Sequence, residues 1–78
     1  MDESEVDAAV REMEAGLRRV LEEGVIVELT PRPASLRQLQ HRVATRHHVV
    51  AESVGSEPKR YLVIYPHAFA ALSENEVV

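Results

Sequence analysis

Apolar residues recur at Val6, Val10, Met13, Leu17, Val20 and Leu21. Steps of three and four residues put them on one face of a helix. Ser4 followed by Asp7 reads as a capping box at its start, and Gly24 as its stop. Residues 25–29, VIVEL, are short and β-branched and predict a strand. Pro31 and Pro33 cannot continue a ladder, so they end it. Ser35 with Gln38 is a second capping box. Leu36, Leu39, Val43 and His47 share one face of the helix it opens, with His47 packed near that stripe and His48 at the end. Residues 49–54 and 60–65 are the second and third strands, joined by the turn Gly55-Ser56-Glu57-Pro58. Pro66 ends the last strand. The remainder, with Phe69 and Leu72, predicts one apolar turn that frays.

The order helix–strand–helix–strand–strand predicts an α+β fold. We expect a small two-layer domain, with a three-stranded, mainly antiparallel sheet packed on two helices. One domain over residues 1–67 and a tail over 68–78 account for the chain. At 78 residues the core is small, yet 45 % apolar content is enough to build one. The absence of cysteine excludes a disulfide framework and a thiolate metal site. No run approaches the roughly 20 apolar residues of a membrane span, and the acidic MDESEVD start is the reverse of a secretory leader. The expected place is the cytoplasm.

The net charge of −4 hides a segregation. Residues 1–28 hold nine acids against three arginines, a net of −6. Residues 29–67 hold Arg32, Arg37, Arg42, Arg46, Lys59 and Arg60 against Glu52 and Glu57, a net of +4. The second half is therefore suited to an anionic partner and the first half repels one. Within the second helix Arg37 and His41 are four residues apart, on one face, one turn from each other. That face flanks the expected apolar stripe, so both tips are expected in solvent with their stems on the domain. The competing assignments are ordinary ones. Arg37 pairs with an acid such as Glu57, His41 bonds a backbone carbonyl, and Arg42 and Arg46 form a solvated flank with the acids of the first helix as another. His41 and His48 are two turns apart, roughly 10 Å, too far to share a metal ion. No cofactor is implied. With no cysteine nucleophile and no glycine-rich phosphate loop, an enzyme is not expected.

Residues 27–64 resemble the R-three-H domain, a module named for its Arg-x-x-x-His spacing. Arg37 and His41 match that spacing, and Ala44 follows the histidine by three. Ser53 and Gly55 match its Ser-x-Gly element. The run Glu57-Pro58-Lys59-Arg60-Tyr61 is similar to its continuation into the last strand. The spacing alone carries little, but the ungapped series from Arg37 to Arg60 is specific. The VEL of 27–29 followed by Pro31 is similar to bacterial Jag-type proteins, in which the domain follows another RNA-binding domain. His48 stands where the family usually ends this helix with glycine. The resemblance implies three strands packed on helices, and binding of single-stranded RNA or DNA, or of its ends, with little sequence preference; with few phosphate contacts and an acidic remainder, we expect that binding to be weak. Arg37 would then fork onto a phosphate, and His41 would donate to a neighbouring one or stack under a base. Arg60 and Lys59 would extend the cationic track, while Tyr61, with Tyr65 on the same strand face, would offer stacking surface. A larger RNA-binding partner would supply specificity.

A different class of function starts from the sheet. The third strand is apolar on both faces, Leu62 and Ile64 on one and Val63 with the two tyrosines on the other. A sheet covered on one side only would expose apolar area. That suits a protein–protein interaction or homodimerisation module, unless the tail covers the patch.

Overall fold

Three glycine- or proline-marked breaks, with a fourth at His48, cut the chain into the five elements that its periodicity predicts. The computed structural model describes residues 2–66, so the apolar turn expected around Phe69 and Leu72 lies outside the described residues. The first helix, α1 (Glu3–Glu23), starts earlier than a Ser4 capping box would have it. Asp2 is the cap, and its carboxylate accepts from the Ser4 N–H at 3.1 Å. Glu3 and Glu5 in the first turn suit the positive end of the helix dipole. At the other end Gly24 turns left-handed, with φ of 66°, and donates to the Val20 carbonyl. Strand β1 (Val27–Glu28) is shorter than the expected 25–29. Leu29 still donates to the Leu62 carbonyl and Arg32 to that of Arg60, so the segment continues beside its neighbour past the strand. Pro31, lacking an N–H, interrupts the ladder between them.

Helix α2 (Ala34–Arg46) corrects the second capping box. Ser35 lies inside the helix, and Pro33, with φ of −59°, is the cap without any side-chain bond. The Pro33 carbonyl takes the N–H groups of Leu36 and Arg37, both at 3.0 Å, so backbone does what the serine was expected to do. At the C-terminus His48 donates to the Thr45 carbonyl at 3.2 Å and Val49 to that of Ala44 at 3.1 Å. These are the two bonds of a Schellman motif, and Val49 and Ala44 are both buried, which supplies its apolar clasp. The motif needs a left-handed residue between them, and His48 takes it with φ of 57°. His47 is exposed, contrary to the expectation that it packs.

Strands β2 (Val50–Val54) and β3 (Tyr61–Tyr65) complete an antiparallel sheet of order β1-β3-β2. Ile64 pairs with Val27 on one side and Ala51 on the other, while Val63 lies between Glu28 and Glu52. Alternation along β3 therefore aims Leu62 and Ile64 at the helices and Tyr61, Val63 and Tyr65 away from them. The core is Met13, Leu17 and Val20 of α1 against Val27, Leu29, Leu62 and Ile64, closed by Leu36, Ala44 and Val49. Gly16 sets how near α1 approaches. A Cβ there would stand 3.1 Å from Ile64 Cδ1 and 3.2 Å from Leu29 Cδ2, closer than ordinary packing. The fold is α+β, with element order as the sequence predicts.

A non-glycine residue at a left-handed position costs roughly 1 kcal/mol, and His48 is exposed, so it has no packing to lose. His48→Gly is expected to raise stability by about 0.5–1 kcal/mol in urea unfolding. A drop in the unfolding midpoint would contradict this account of the helix end.

Candidate nucleic-acid interface

The buried residues of α2 are Leu36, Arg37, Gln40 and Ala44. At 100° per residue their centre is about 70° from that of Leu36, Leu39, Val43 and His47. This rotation decides the site. It swings Arg37 inward and leaves His41 just outside the packed arc. Gln40 anchors the rotated helix: its Nε2 donates to the Ala9 carbonyl of α1 at 3.1 Å. The expectation that the Arg37 tip reaches solvent is therefore corrected, since its side chain is only 10 % exposed.

Burial of a guanidinium demands partners, and Arg37 has two. Nη1 donates to the Arg32 carbonyl at 2.7 Å and Nη2 to Glu57 Oε1 at 2.6 Å. The pairing of Arg37 with Glu57, one of the ordinary assignments of this residue, is thus present. It ties the start of α2 to the loop after β1 and to the turn before β3. The same loop is held from its other side by Glu12 of α1. Glu12 accepts the backbone N–H of Thr30 at 3.0 Å, the Thr30 hydroxyl, and Nε of Arg32 at 3.2 Å. Partial burial pushes the Glu12 carboxyl up, but the two Thr30 bonds and the Arg32 cation outweigh it and hold the group below its ordinary 4.5.

Around this buried node lie the other predicted site residues. His41, one turn beyond Arg37, is exposed, and its imidazole bonds no described residue. Its carbonyl takes the Thr45 hydroxyl instead. Lys59 is exposed in the turn, with its backbone N–H on the Ser56 carbonyl at 2.9 Å. Arg60 donates from Nε to the Ser53 hydroxyl at 2.5 Å, which links two positions of the resemblance across β2 and β3. The Glu57–Pro58 peptide in this turn is cis. Tyr61 is half-buried on the outer sheet face, beside Gly55. Tyr65 shares that face, and its hydroxyl donates to Glu52 at 3.1 Å, a bond that raises its own titration above the usual 10.0. Arg37, Glu57, Arg32 and the Arg60 backbone are thus joined through bonds, whereas Tyr61 belongs to the sheet surface. Sequence reasoning missed the node of Glu12, Thr30 and Arg32, because Thr30 and Arg32 lie 18 and 20 residues from Glu12 and their contact leaves no local pattern. Among the described residues no three histidines, aspartates or glutamates gather as metal ligands, and no helix is long and apolar enough to cross a membrane.

Comparison with known proteins places the chain beside one family. The R-three-H domain matches residues 8–66. An uncharacterized protein, ycf45 of Porphyra purpurea, is 47 % identical over 47 residues, which make up 60 % of this chain and 8 % of that protein. The similarity therefore spans less than a tenth of this relative. No solved structure matches.

A carboxylate held below its ordinary value stabilises the fold above that value and loses this contribution as pH falls through the folded one. Glu12→Gln keeps the acceptor and removes the charge. The stability difference between the native protein and Glu12→Gln is expected to narrow between pH 6 and pH 3 in urea titrations. A difference that stays constant with pH would contradict the Glu12 node.

Proposed function

The chain belongs to the R-three-H domain family, generally a nucleic-acid-binding domain, and on that premise we propose that it binds single-stranded RNA or DNA. Binding is weak and largely indifferent to sequence. One observation carries the reading: an exposed, unengaged imidazole stands one turn from a guanidinium that is bonded to the turn holding Lys59 and Arg60. His41 and Lys59 meet phosphates directly, as does the outer end of Arg60. Arg37 contributes from the edge with N–H groups that its two protein partners leave over. Tyr61 offers a ring at the same end of the sheet. The domain works as a binder and not as an enzyme, in the cytoplasm, and in a Jag-type arrangement a neighbouring RNA-binding unit supplies specificity.

With three or four phosphate contacts on an acidic protein, the dissociation constant is expected at ~10⁻⁴ to 10⁻⁶ M. Its logarithmic salt slope for a single strand is about −2 to −3. Fluorescence anisotropy with a labelled mixed-sequence decamer at several salt concentrations measures both. His41→Ala and Lys59→Ala are each expected to weaken binding several-fold without changing thermal stability. Absence of binding at low salt, or indifference to both substitutions, ends this reading.

A second reading has its own observation. Ile26, Val50 and Val54 are exposed apolar residues, the latter two on the outward face of β2. That face suits a protein partner or a second copy of the chain. Sedimentation of the full chain at about 100 μM tests self-association. A dimer that Val50→Asp dissociates would support it, and a monomer at that concentration would remove the second copy.

A further inference from the structure

The Arg37–Glu57 pair is asymmetric in a way that matters to any anion arriving there. The Arg37 side chain is 10 % exposed and the Glu57 side chain 57 %. Arg37 also donates to the Arg32 carbonyl at 2.7 Å, so moving out to meet a ligand would cost it that bond. Glu57 stands on the solvent side of it, in the turn between β2 and β3. A carboxylate so exposed loses little on leaving, because water solvates it at once. Arg37 loses much, because a buried cation without a counter-ion is strongly disfavoured. The departing carboxylate therefore has to be replaced by another anionic oxygen at the same distance.

We propose that the Glu57 carboxylate is a built-in competitor that occupies a phosphate position at Arg37, so that strand binding at this end of the domain is an exchange of one anion for another. The inference rests on the nucleic-acid reading above and adds its regulation. A phosphodiester oxygen makes the same charge-assisted bond to Nη2 that Glu57 makes at 2.6 Å. Only the side chain of Glu57 has to swing. The turn keeps its own closure through the Lys59 N–H on the Ser56 carbonyl, independent of that carboxylate. Two consequences follow. The site is never an unpaired buried cation, which protects the fold when no strand is bound. A lone small anion, competing with a tethered carboxylate, is displaced, whereas a strand anchored at the same time by His41, Lys59 and Arg60 holds its place.

The test is the affinity of Glu57→Gln for the labelled decamer at low salt. It is expected to rise about 3–10-fold over the native chain, the size of one partly exposed charge pair. Glu57→Ala is expected to do the same, with unfolding curves confirming that both variants fold. Glu52→Gln, which removes the same charge from β2, is the control and is expected to gain less than about 2-fold. Three outcomes overturn the proposal. If Glu57→Gln binds as the native chain does, or more weakly, Glu57 holds the turn in place and does not compete. If Glu52→Gln gains as much, only net charge is at work. If neither the native chain nor Glu57→Gln binds, the nucleic-acid reading fails first and this falls with it.

Discussion

A guanidinium nine-tenths out of water has to find its acceptors on the spot, and much of this small fold is arranged around that requirement. Arg37 is in the first turns of α2, and α2 alone offers no acceptor for it. The two it uses come from outside: the Arg32 carbonyl after β1 and the Glu57 carboxylate before β3. Three segments that are distant in sequence are thereby fixed relative to one another. Glu12 repeats the device from the side of α1, gathering Thr30 and Arg32 of the same loop. The loop carries two prolines and little regular hydrogen bonding, so side chains provide the order that a ladder would otherwise give.

The burial of Arg37 follows in turn from how the helices meet. Gly16 of α1 lies against Ile64 and Leu29, while Ala9 and Ala44 are buried. Close approach through small residues selects the faces that carry them. Hydrophobic periodicity gives little weight to Ala and Gly, so it aimed α1 partly through Leu21, which is 61 % exposed. It likewise aimed α2 through Leu39, Val43 and His47. Element order was legible because Gly24, Pro31, Gly55 and Pro66 punctuate the chain. Helix facing was not, because steric fit and the Gln40 bond to Ala9 decide it. The series Leu36, Gln40, Ala44, spaced by four, is the signal that was available in the sequence for the true face of α2. Of the residues singled out for a site, His41 and Lys59 are exposed, as the sequence led us to expect, and Tyr61 is half-buried. The state of Arg37 was not, since a rotation of about 70° separates rim from interior.

The charge pattern bears on where a polyanion can approach. On α1 Arg11 pairs with Asp7 and Arg19 with Glu23, both as exposed i, i+4 contacts. These pairs contribute little to stability, but they neutralise two of that helix's three cations and leave its acids in excess. Over a screening length of about 8–10 Å at physiological salt, a strand is repelled from α1 and free to approach the turn that carries Lys59 and Arg60. Segregated charge would thus orient a polyanion even though the total is negative.

The residue that most invites mutation is the one least able to report on binding alone. Removing Arg37 leaves the Arg32 carbonyl short of a donor and releases the turn from α2, at about 1–3 kcal/mol for the orphaned group. A loss of affinity in such a variant would combine a missing contact with a loosened junction between α2 and the loop after β1. His41 and Lys59 have no such double duty, since their side chains bond no described residue. They separate recognition from folding. Arg37 joins the two, because the cation that the core tolerates is tolerated only while an anion faces it from the surface.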